Sequence, residues 1–249
     1  MRLAIRPLLI AVIVLCTALP LSVVAAAPPV QVLPEAEAAL MSGQNVIVET
    51  DPWLTFRPAT GEPTVGVVIY PGGLVAPEAY APTARQLAAA GYLAVIVPVP
   101  LQLAVFGADR AAAVIAANPE IEAWAVAGHS LGGSAAAYFA NTYPDLVDGL
   151  VLWASFTDRN NDLSDDDALV VSSIYATLDG LATVAEVEAA NQFLPESTTY
   201  VVIEGGNHAY FGWYGDQDGD LPATISRAEQ QALIVDATVA VLEQIGAGR

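Results

Sequence analysis

Residues 124–138 read WAVAGHSLGGSAAAY, and this stretch decides the fold. An apolar run leads into Ser130, glycine stands two residues before and two residues after it, and an alanine-rich segment follows. The pattern predicts a buried strand that turns sharply at the serine into a helix. In so tight a turn the serine backbone is strained, and side chains at 128 or 132 would collide with the adjoining strand and helix. The other interpretation is a glycine-rich bend without chemistry, since the chain has 19 glycines.

Apolar runs alternate with helical segments around this stretch. We expect buried strands at 65–71, 92–98, 124–128, 149–155, 169–176 and 199–205, and helices at 77–90, 104–117, 131–142, 183–193 and 226–245. Strands without polar alternation are buried on both faces, and strands separated by helices run parallel. The chain is therefore predicted to be an α/β protein with a doubly wound, mostly parallel sheet and helices on both faces. A short helix at 34–41 and an antiparallel pair at 46–50 and 53–58 are expected to precede this sheet.

Composition limits the classes of partner. The chain has 249 residues, of which 55% are hydrophobic, and residues 28–249 show no repeat or linker, so we expect one domain there. Asp and Glu number 27 against 8 basic residues, all of them Arg, and the net charge is −19. Such a charge repels phosphate backbones, so no nucleic-acid partner is expected. The absence of lysine excludes a Schiff-base lysine and a P-loop lysine.

The first 27 residues have a different character. Arg2 and Arg6 precede the apolar run 8–24, which Pro20 interrupts, and three alanines follow at 25–27. This order is typical of a secretory signal peptide and predicts an exported protein, either secreted or held in the periplasm or at the cell surface. If the leader is not cleaved, residues 8–24 become a membrane tether, although they are shorter than the ~20 apolar residues of a spanning helix.

The chain offers few candidates for a base that could activate Ser130. A serine is a weak nucleophile at neutral pH and needs a base within hydrogen-bond reach. Of the two histidines, His129 precedes Ser130 directly, so its side chain should point away from that of the serine. His208 lies in the loop after the last predicted strand, where the base is needed. It is the predicted base, and a loop histidine without a role is the alternative.

The acid that orients the base is expected between Ser130 and His208 in the chain. Most acidic residues in this interval fall on helices or in the polar loop at 158–167. Asp179 instead follows the strand 169–176 directly, at its carboxyl end and beside the loop of His208. We predict Asp179 as the acid, with Asp162–Asp167 as the fallback, although that loop also fits a solvated turn.

Backbone N–H groups would complete such a site. The N–H of Leu131, after the serine and at a helix start, is one predicted donor to a developing oxyanion. The other is the N–H of Gly73, or failing that of Leu74, in the loop after strand 65–71, which could also be an ordinary turn. Asp216, Asp218 and Asp220 suggest a calcium site, but their spacing does not fit an EF-hand loop. We expect no metal there and no cofactor.

With these elements in order, the chain resembles the α/β-hydrolase superfamily, and within it the small, cap-less bacterial members related to dienelactone hydrolases. The resemblance covers about residues 45–245 and rests on YPGG (70–73), GHSLGG (128–133), IYATLDG (174–180) and EGGNHAYFG (204–212). It implies Ser130 as nucleophile, Asp179 as acid and His208 as base. Dienelactone hydrolases themselves use a cysteine nucleophile, so their substrate does not carry over to this chain.

The expected function is hydrolysis of a neutral, small-molecule ester through an acyl-enzyme. The alternative is a non-catalytic or membrane-tethered binding protein that keeps the fold. The connection 156–167 is too short for a cap domain, so the site should be open and shallow. The aromatic residues of 210–214 either wall an acyl pocket or pin their loop to the core. Lipid or cutin hydrolysis would also require an exposed apolar rim.

Overall fold

The computed structural model describes residues 31–248, and the leader predicted at 1–27 lies outside them. One eight-stranded sheet is built from β1 (Val46–Glu49), β2 (Leu54–Pro58), β3 (Val65–Tyr70), β4 (Leu93–Ile96), β5 (Ala123–His129), β6 (Gly149–Trp153), β7 (Val170–Ala176) and β8 (Thr199–Ile203). Its strand order is β1-β2-β4-β3-β5-β6-β7-β8. The strands from β3 to β8 pair in parallel, and β2 joins β1 and β4 in antiparallel pairs. The predicted mostly parallel sheet is confirmed.

Helices cover both faces of the sheet, as predicted. They are α1 (Pro34–Ala39), α2 (Ala81–Ala89), α3 (Arg110–Ala117), α4 (Leu131–Thr142), α5 (Val184–Ala190) and α6 (Arg227–Ala247). One apolar core lies between the sheet and α2 and α6, and a second lies between the opposite face and α3 and α4. Within residues 31–248, no helix is long and apolar enough to span a membrane.

The prediction of a helix at 104–117 is wrong for the first half of this range. Residues 104–106 form a single 3-10 turn, and α3 begins only at Arg110. The hydroxyl of Tyr70, at the end of β3, donates to the carbonyl of Ala108 at 2.6 Å and accepts from the N–H of Ala111 at 3.1 Å. Because the tyrosine engages the backbone at this point, the segment 105–109 leaves the helical path and lies over the carboxyl end of the sheet.

The strand β8 also differs from its expected environment. It is the last strand of the sheet and pairs only with β7. Tyr200 and Val202 are therefore 37% and 45% exposed, whereas β3, β5 and β6 are buried throughout. The apolar sequence of this strand predicts burial on both faces, and the prediction is wrong for β8 because an edge strand has a neighbour on one side alone.

All six parallel strands end at the same edge of the sheet. The loops that follow β3, β5, β7 and β8 at this edge carry the residues singled out in the sequence. The connection between β6 and β7 contains only one 3-10 turn, Arg159–Asn161, and so adds no domain above the edge. Candidate sites in open α/β sheets lie at this carboxyl edge.

Candidate active site

The turn between β5 and α4 holds Ser130 in a strained conformation. Its backbone angles are φ 52° and ψ −123°, a region that residues with side chains rarely adopt. The serine N–H donates to the carbonyl of Trp153 at 3.0 Å. A Cβ at Gly128 would collide with the backbone of Gly132, and a Cβ at Gly132 would collide with the carbonyl of Tyr70. Both glycines are therefore required by the turn that presents the partly exposed serine.

Asp179 and His208 form a buried pair. The carboxylate Oδ2 lies 2.8 Å from Nδ1 of the imidazole, and both residues are almost fully enclosed. The other carboxylate oxygen accepts the N–H groups of Leu181 at 2.8 Å and Ala182 at 2.7 Å. Because a carboxylate can only accept, Nδ1 of His208 carries the hydrogen, and Nε2 is left as an acceptor.

The structure brings this pair next to the serine turn. The ring of His208 lies 4.4 Å, centroid to centroid, from the ring of His129, the residue that precedes Ser130. The fallback acids are engaged within their own loop. Asp162 accepts the N–H of Ser164, and Asp166 accepts that of Leu169. The acid that contacts the histidine is thus the one that follows β7.

His129 lies behind the candidate base and has its own partner. Its Nδ1 is 2.8 Å from the hydroxyl of Tyr80, which also accepts the N–H of Gly72 at 2.9 Å. A hydroxyl has one hydrogen to donate, and the Nδ1 of His129 is the acceptor within reach of the Tyr80 hydroxyl; Nδ1 is therefore assigned as the acceptor, and Nε2 carries the hydrogen. Burial lowers the pKa of His129 well below its usual value, and neighbouring His208 lowers it further, while the backbone of His208 opposes the shift. His129 is therefore neutral, and its ring contacts Tyr80, His208 and Phe211.

Two backbone N–H groups near the serine turn have no hydrogen-bond partner within residues 31–248. In the loop after β3, the N–H of Gly72 is engaged by Tyr80, and that of Leu74 donates to the carbonyl of Gln102 at 2.8 Å. Leu74, the alternative donor in that loop, is thereby removed. Within residues 31–248, the N–H groups of Gly73 and Leu131 have no hydrogen-bond partner. A Cβ at Gly73 would lie 3.3 Å from the Leu131 side chain, so the two predicted donors are neighbours.

Asp220 is a site residue that the sequence did not reveal. Its Oδ1 accepts the N–H of Gly180 and of His208, each at 3.1 Å, and its Oδ2 accepts that of Ala209 at 2.8 Å. One carboxylate therefore ties the loop of Asp179 to the loop of His208. No local sequence signal marks this role, because Gly180 is 40 residues away along the chain. Within the described residues, no cluster of three or more His, Cys, Asp or Glu could hold a metal ion.

The aromatic residues after His208 pin their loop to the core. Phe211 and Tyr214 are fully buried, and the Phe211 ring stacks on His129 at 5.7 Å. The Tyr210 ring covers the guanidinium of Arg227 at 4.2 Å. Arg227 donates to three carbonyls of the same loop, those of Ala209, Gly212 and Tyr214. The interpretation of these aromatics as core contacts fits Phe211 and Tyr214, while Tyr210 also lines a cavity of about 300 Å³ beside its loop.

A cavity opens on the other side of the serine turn. Its volume is about 560 Å³, within the roughly 300–1,000 Å³ of small-molecule sites. It lies between α4 and the segment 105–109. Its apolar wall is made by Val105, Phe106, Leu131, Ala135, Tyr138 and Tyr143.

Sequence and structure comparisons agree on one group of proteins. A model of the "Alpha/beta hydrolase family" matches residues 66–232, more than half of the chain. No curated protein matches the sequence.

Two solved structures are similar in fold. A predicted CIB-like hydrolase from Thermoplasma acidophilum has a TM-score of 0.56 at 14% identity, covering 78% of this chain and 98% of its own. A thermophilic esterase from the Planctomycetes species Thermogutta terrifontis has a TM-score of 0.51 at 15% identity, covering 80% of this chain and 92% of its own. At such identities the similarity concerns the fold.

Proposed function

The chain belongs to the alpha/beta hydrolase family, and from this premise we propose that it is a serine hydrolase that cleaves a neutral ester through an acyl-enzyme. Family membership supports hydrolase activity, while the nucleophile and the substrate class are our proposals. The observation that carries them is the buried Asp179–His208 pair, 2.8 Å apart, beside the strained turn of Ser130. A buried acid–base pair at the sheet's carboxyl edge has the arrangement that activates a serine.

Each residue of the proposed triad has a defined part. The Oγ of Ser130 attacks the acyl carbonyl while Nε2 of His208 takes its proton. His208 then gives that proton to the leaving alcohol. Asp179 holds the imidazole in the tautomer with hydrogen on Nδ1 and stabilises the imidazolium. A water molecule, activated by the same histidine, hydrolyses the acyl-enzyme and releases the acid.

The N–H groups of Gly73 and Leu131 are proposed to stabilise the oxyanion of the tetrahedral intermediates. Both lack another partner within residues 31–248; Leu131 follows Ser130 directly, and Gly73 lies against the Leu131 side chain. Leu131 is the first residue of α4, where the helix dipole also favours negative charge. Removing one such donor typically lowers kcat by about 10²–10³.

A neutral substrate fits the charge of the protein. The chain carries a net charge of −19, which repels anions from its surface. Two of the arginines at this edge have their guanidinium groups bound to backbone, and a third, Arg159 in the turn after β6, is exposed to solvent. Arg110 donates to the carbonyl of Pro98, and Arg227 donates to the loop after His208. Neither is free to hold an acidic substrate.

Hydrolysis of p-nitrophenyl acetate by matched variants tests the proposal. We expect Ser130→Ala and His208→Ala to lower kcat by roughly 10⁴ or more, and Asp179→Asn by about 10⁴, because the imidazole then loses its productive tautomer. The controls are Ser42→Ala for the serine and Asp166→Asn for the acid. Both control residues lie away from the serine turn, and both variants should keep kcat within about twofold.

Two outcomes would contradict this assignment. Full turnover by Asp179→Asn together with loss of turnover by Asp166→Asn would return the acid role to the loop at 162–167. A folded wild-type protein that hydrolyses no ester would instead favour a binding protein that retains the fold.

A further inference from the structure

We propose that the cavity between α4 and the segment 105–109 binds the acyl group, and that the substrate is an ester of an apolar carboxylic acid without a second charge. This inference rests on the proposed catalytic roles of Ser130 and His208. It goes further in naming which side of the ester the protein selects and by which residues.

The position of the base decides which part of the ester the cavity receives. In the proposed reaction His208 protonates the alcohol as it leaves, so the alcohol departs on the side of the histidine. The acyl group, which stays on Ser130, extends to the other side. The cavity is on that side, because five of its lining residues come from the segment 105–109 after β4, which β3, β5 and β6 separate from β7 and β8; α4 and Asn161 complete the wall. No residue from the loops that carry Asp179 and His208 lines it.

Leu131 connects the cavity to the reacting carbonyl. Its N–H is a proposed oxyanion donor, and its side chain forms part of the cavity wall. Ala135 lies one turn further along α4, is 6% exposed and also faces the cavity. A chain attached to the serine oxygen would therefore pass Leu131 and then reach Ala135, where only a methyl group occupies the space.

The chemistry of the walls selects an uncharged acyl group. No arginine lines the cavity, and its one charged residue is Asp109, which is exposed at the rim. A second carboxylate on the acyl group would meet this aspartate and the net charge of the protein. The remaining walls are mostly aliphatic and aromatic, which suits hydrocarbon.

The mouth of the cavity has the exposed apolar rim that such a substrate requires. Val105 and Phe106 are 63% and 59% exposed, and Tyr138 on the facing helix is 43% exposed. Single exposed apolar side chains are common on proteins, but a cluster around a cavity marks a binding site. An apolar acyl chain entering here would cover these side chains.

The walls are held in place without a ligand. The buried hydroxyl of Tyr70 binds both the carbonyl of Ala108 and the N–H of Ala111, which anchors the segment 105–109 at its end. Arg110 adds a bond of 2.9 Å to the carbonyl of Pro98. A cavity that is already formed binds its ligand without first ordering a loop, which favours affinity.

The test measures kcat/KM for two series of esters. In the first, p-nitrophenyl esters vary from acetate to hexanoate. In the second, alkyl acetates vary from methyl to hexyl. For the wild type we expect kcat/KM to rise about fourfold for each added acyl methylene group, since each one is transferred from water to an apolar wall. The length of the alcohol should matter much less.

Variants of the cavity decide the assignment. Ala135→Phe should fill the space beyond Leu131 and bring kcat/KM for hexanoate to within about threefold of kcat/KM for acetate. Because Ala135 is nearly buried, Phe106→Asp at the exposed rim serves as a second variant whose folding is not at risk. It should lower kcat/KM for hexanoate about tenfold more than it lowers kcat/KM for acetate.

The matched control is Ala89→Phe, which places the same side chain in a different cavity, between α2 and β1, away from Ser130. It should keep the wild-type length profile. Acetate turnover with an unchanged profile in both Ala135→Phe and Phe106→Asp would overturn the acyl assignment alone. A shift in the alcohol series instead of the acyl series would overturn it as well. Loss of all turnover in the folded wild type would overturn the proposed function itself.

Discussion

Tyr80 and His129 are joined by a buried hydrogen bond of 2.8 Å, and this bond links the loop after β3 to the serine turn. The tyrosine hydroxyl also accepts the N–H of Gly72, the neighbour of the proposed oxyanion donor Gly73. His129 in turn supports the ring of His208. His129 thus helps to position both the proposed base and the proposed oxyanion loop.

Tyr80→Phe tests this link. The variant leaves the Gly72 N–H and the His129 ring without their common partner in a buried environment. We expect the free energy of unfolding to fall by about 1–3 kcal/mol and kcat to fall roughly tenfold. Denaturant unfolding and p-nitrophenyl acetate turnover measure the two effects. Tyr200→Phe, at the exposed edge of the sheet, is the control, and an equal loss of kcat in both variants would rule out a specific role for Tyr80.

The low pKa of His129 predicts how stability depends on pH. A buried neutral histidine takes up a proton near pH 6.5 only after unfolding, so the unfolded state binds more protons below that pH. The contribution of neutral His129 to the free energy of unfolding is fully present above pH 6.5. It is lost as the pH falls, at up to about 1.4 kcal/mol per pH unit. His129→Asn keeps an acceptor for Tyr80 but cannot titrate. Urea unfolding between pH 7 and 5 should show a shallower loss of stability in this variant, and identical slopes would contradict the prediction.

Asp220→Asn should weaken the connection between the acid and the base. An amide nitrogen would then face backbone N–H groups in place of one carboxylate oxygen. We expect kcat to fall by about 10- to 100-fold, since small displacements of catalytic groups cost that much, and stability to fall by about 1–3 kcal/mol. Asp218→Asn, in the same loop but exposed, is the matched control. A wild-type kcat in Asp220→Asn would show that the hydrogen bonds of Asp220 do not position Asp179 and His208.

Gly132→Ala tests the steric basis of the serine turn. The added methyl group would collide with the carbonyls of Tyr70 and Pro71. The free energy of unfolding should fall by about 3 kcal/mol or more, the upper range for overpacking. Gly215→Ala is the control, because the nearest neighbour of its methyl group would be the carbonyl of Gln31 at 3.9 Å. Thermal unfolding compares the two variants. Equal melting temperatures would contradict the claim that a side chain at 132 collides with the backbone.

Local patterns were enough to predict most of the fold. The strands are continuous apolar runs, the serine turn is marked by its glycines, and α4 spans 131–142 as expected. The positions of Asp179 and His208 followed from which strand each one succeeds. Since the carboxyl ends of parallel strands meet at one edge, two residues that each follow a strand are expected to lie close together.

Contacts between distant residues account for what the sequence did not reveal. The 3-10 turn and late start of α3 follow from the hydroxyl of Tyr70, which is about 40 residues away along the chain. The partnership of Tyr80 with His129 spans 49 residues. In the sequence, Asp220 is one of three regularly spaced acids. Its backbone N–H partners come together only when the two loops fold. The exposure of β8 likewise depends on its place at the sheet edge.

The most direct test of the central claim is to identify the residue that reacts with a fluorophosphonate. Folded wild-type protein is treated with the probe, digested and examined by mass spectrometry. We predict a single adduct, on the Oγ of Ser130, that Ser130→Ala abolishes and His208→Ala slows by orders of magnitude. An adduct on any other residue, or none on the folded protein, would contradict the assignment of Ser130 as the nucleophile.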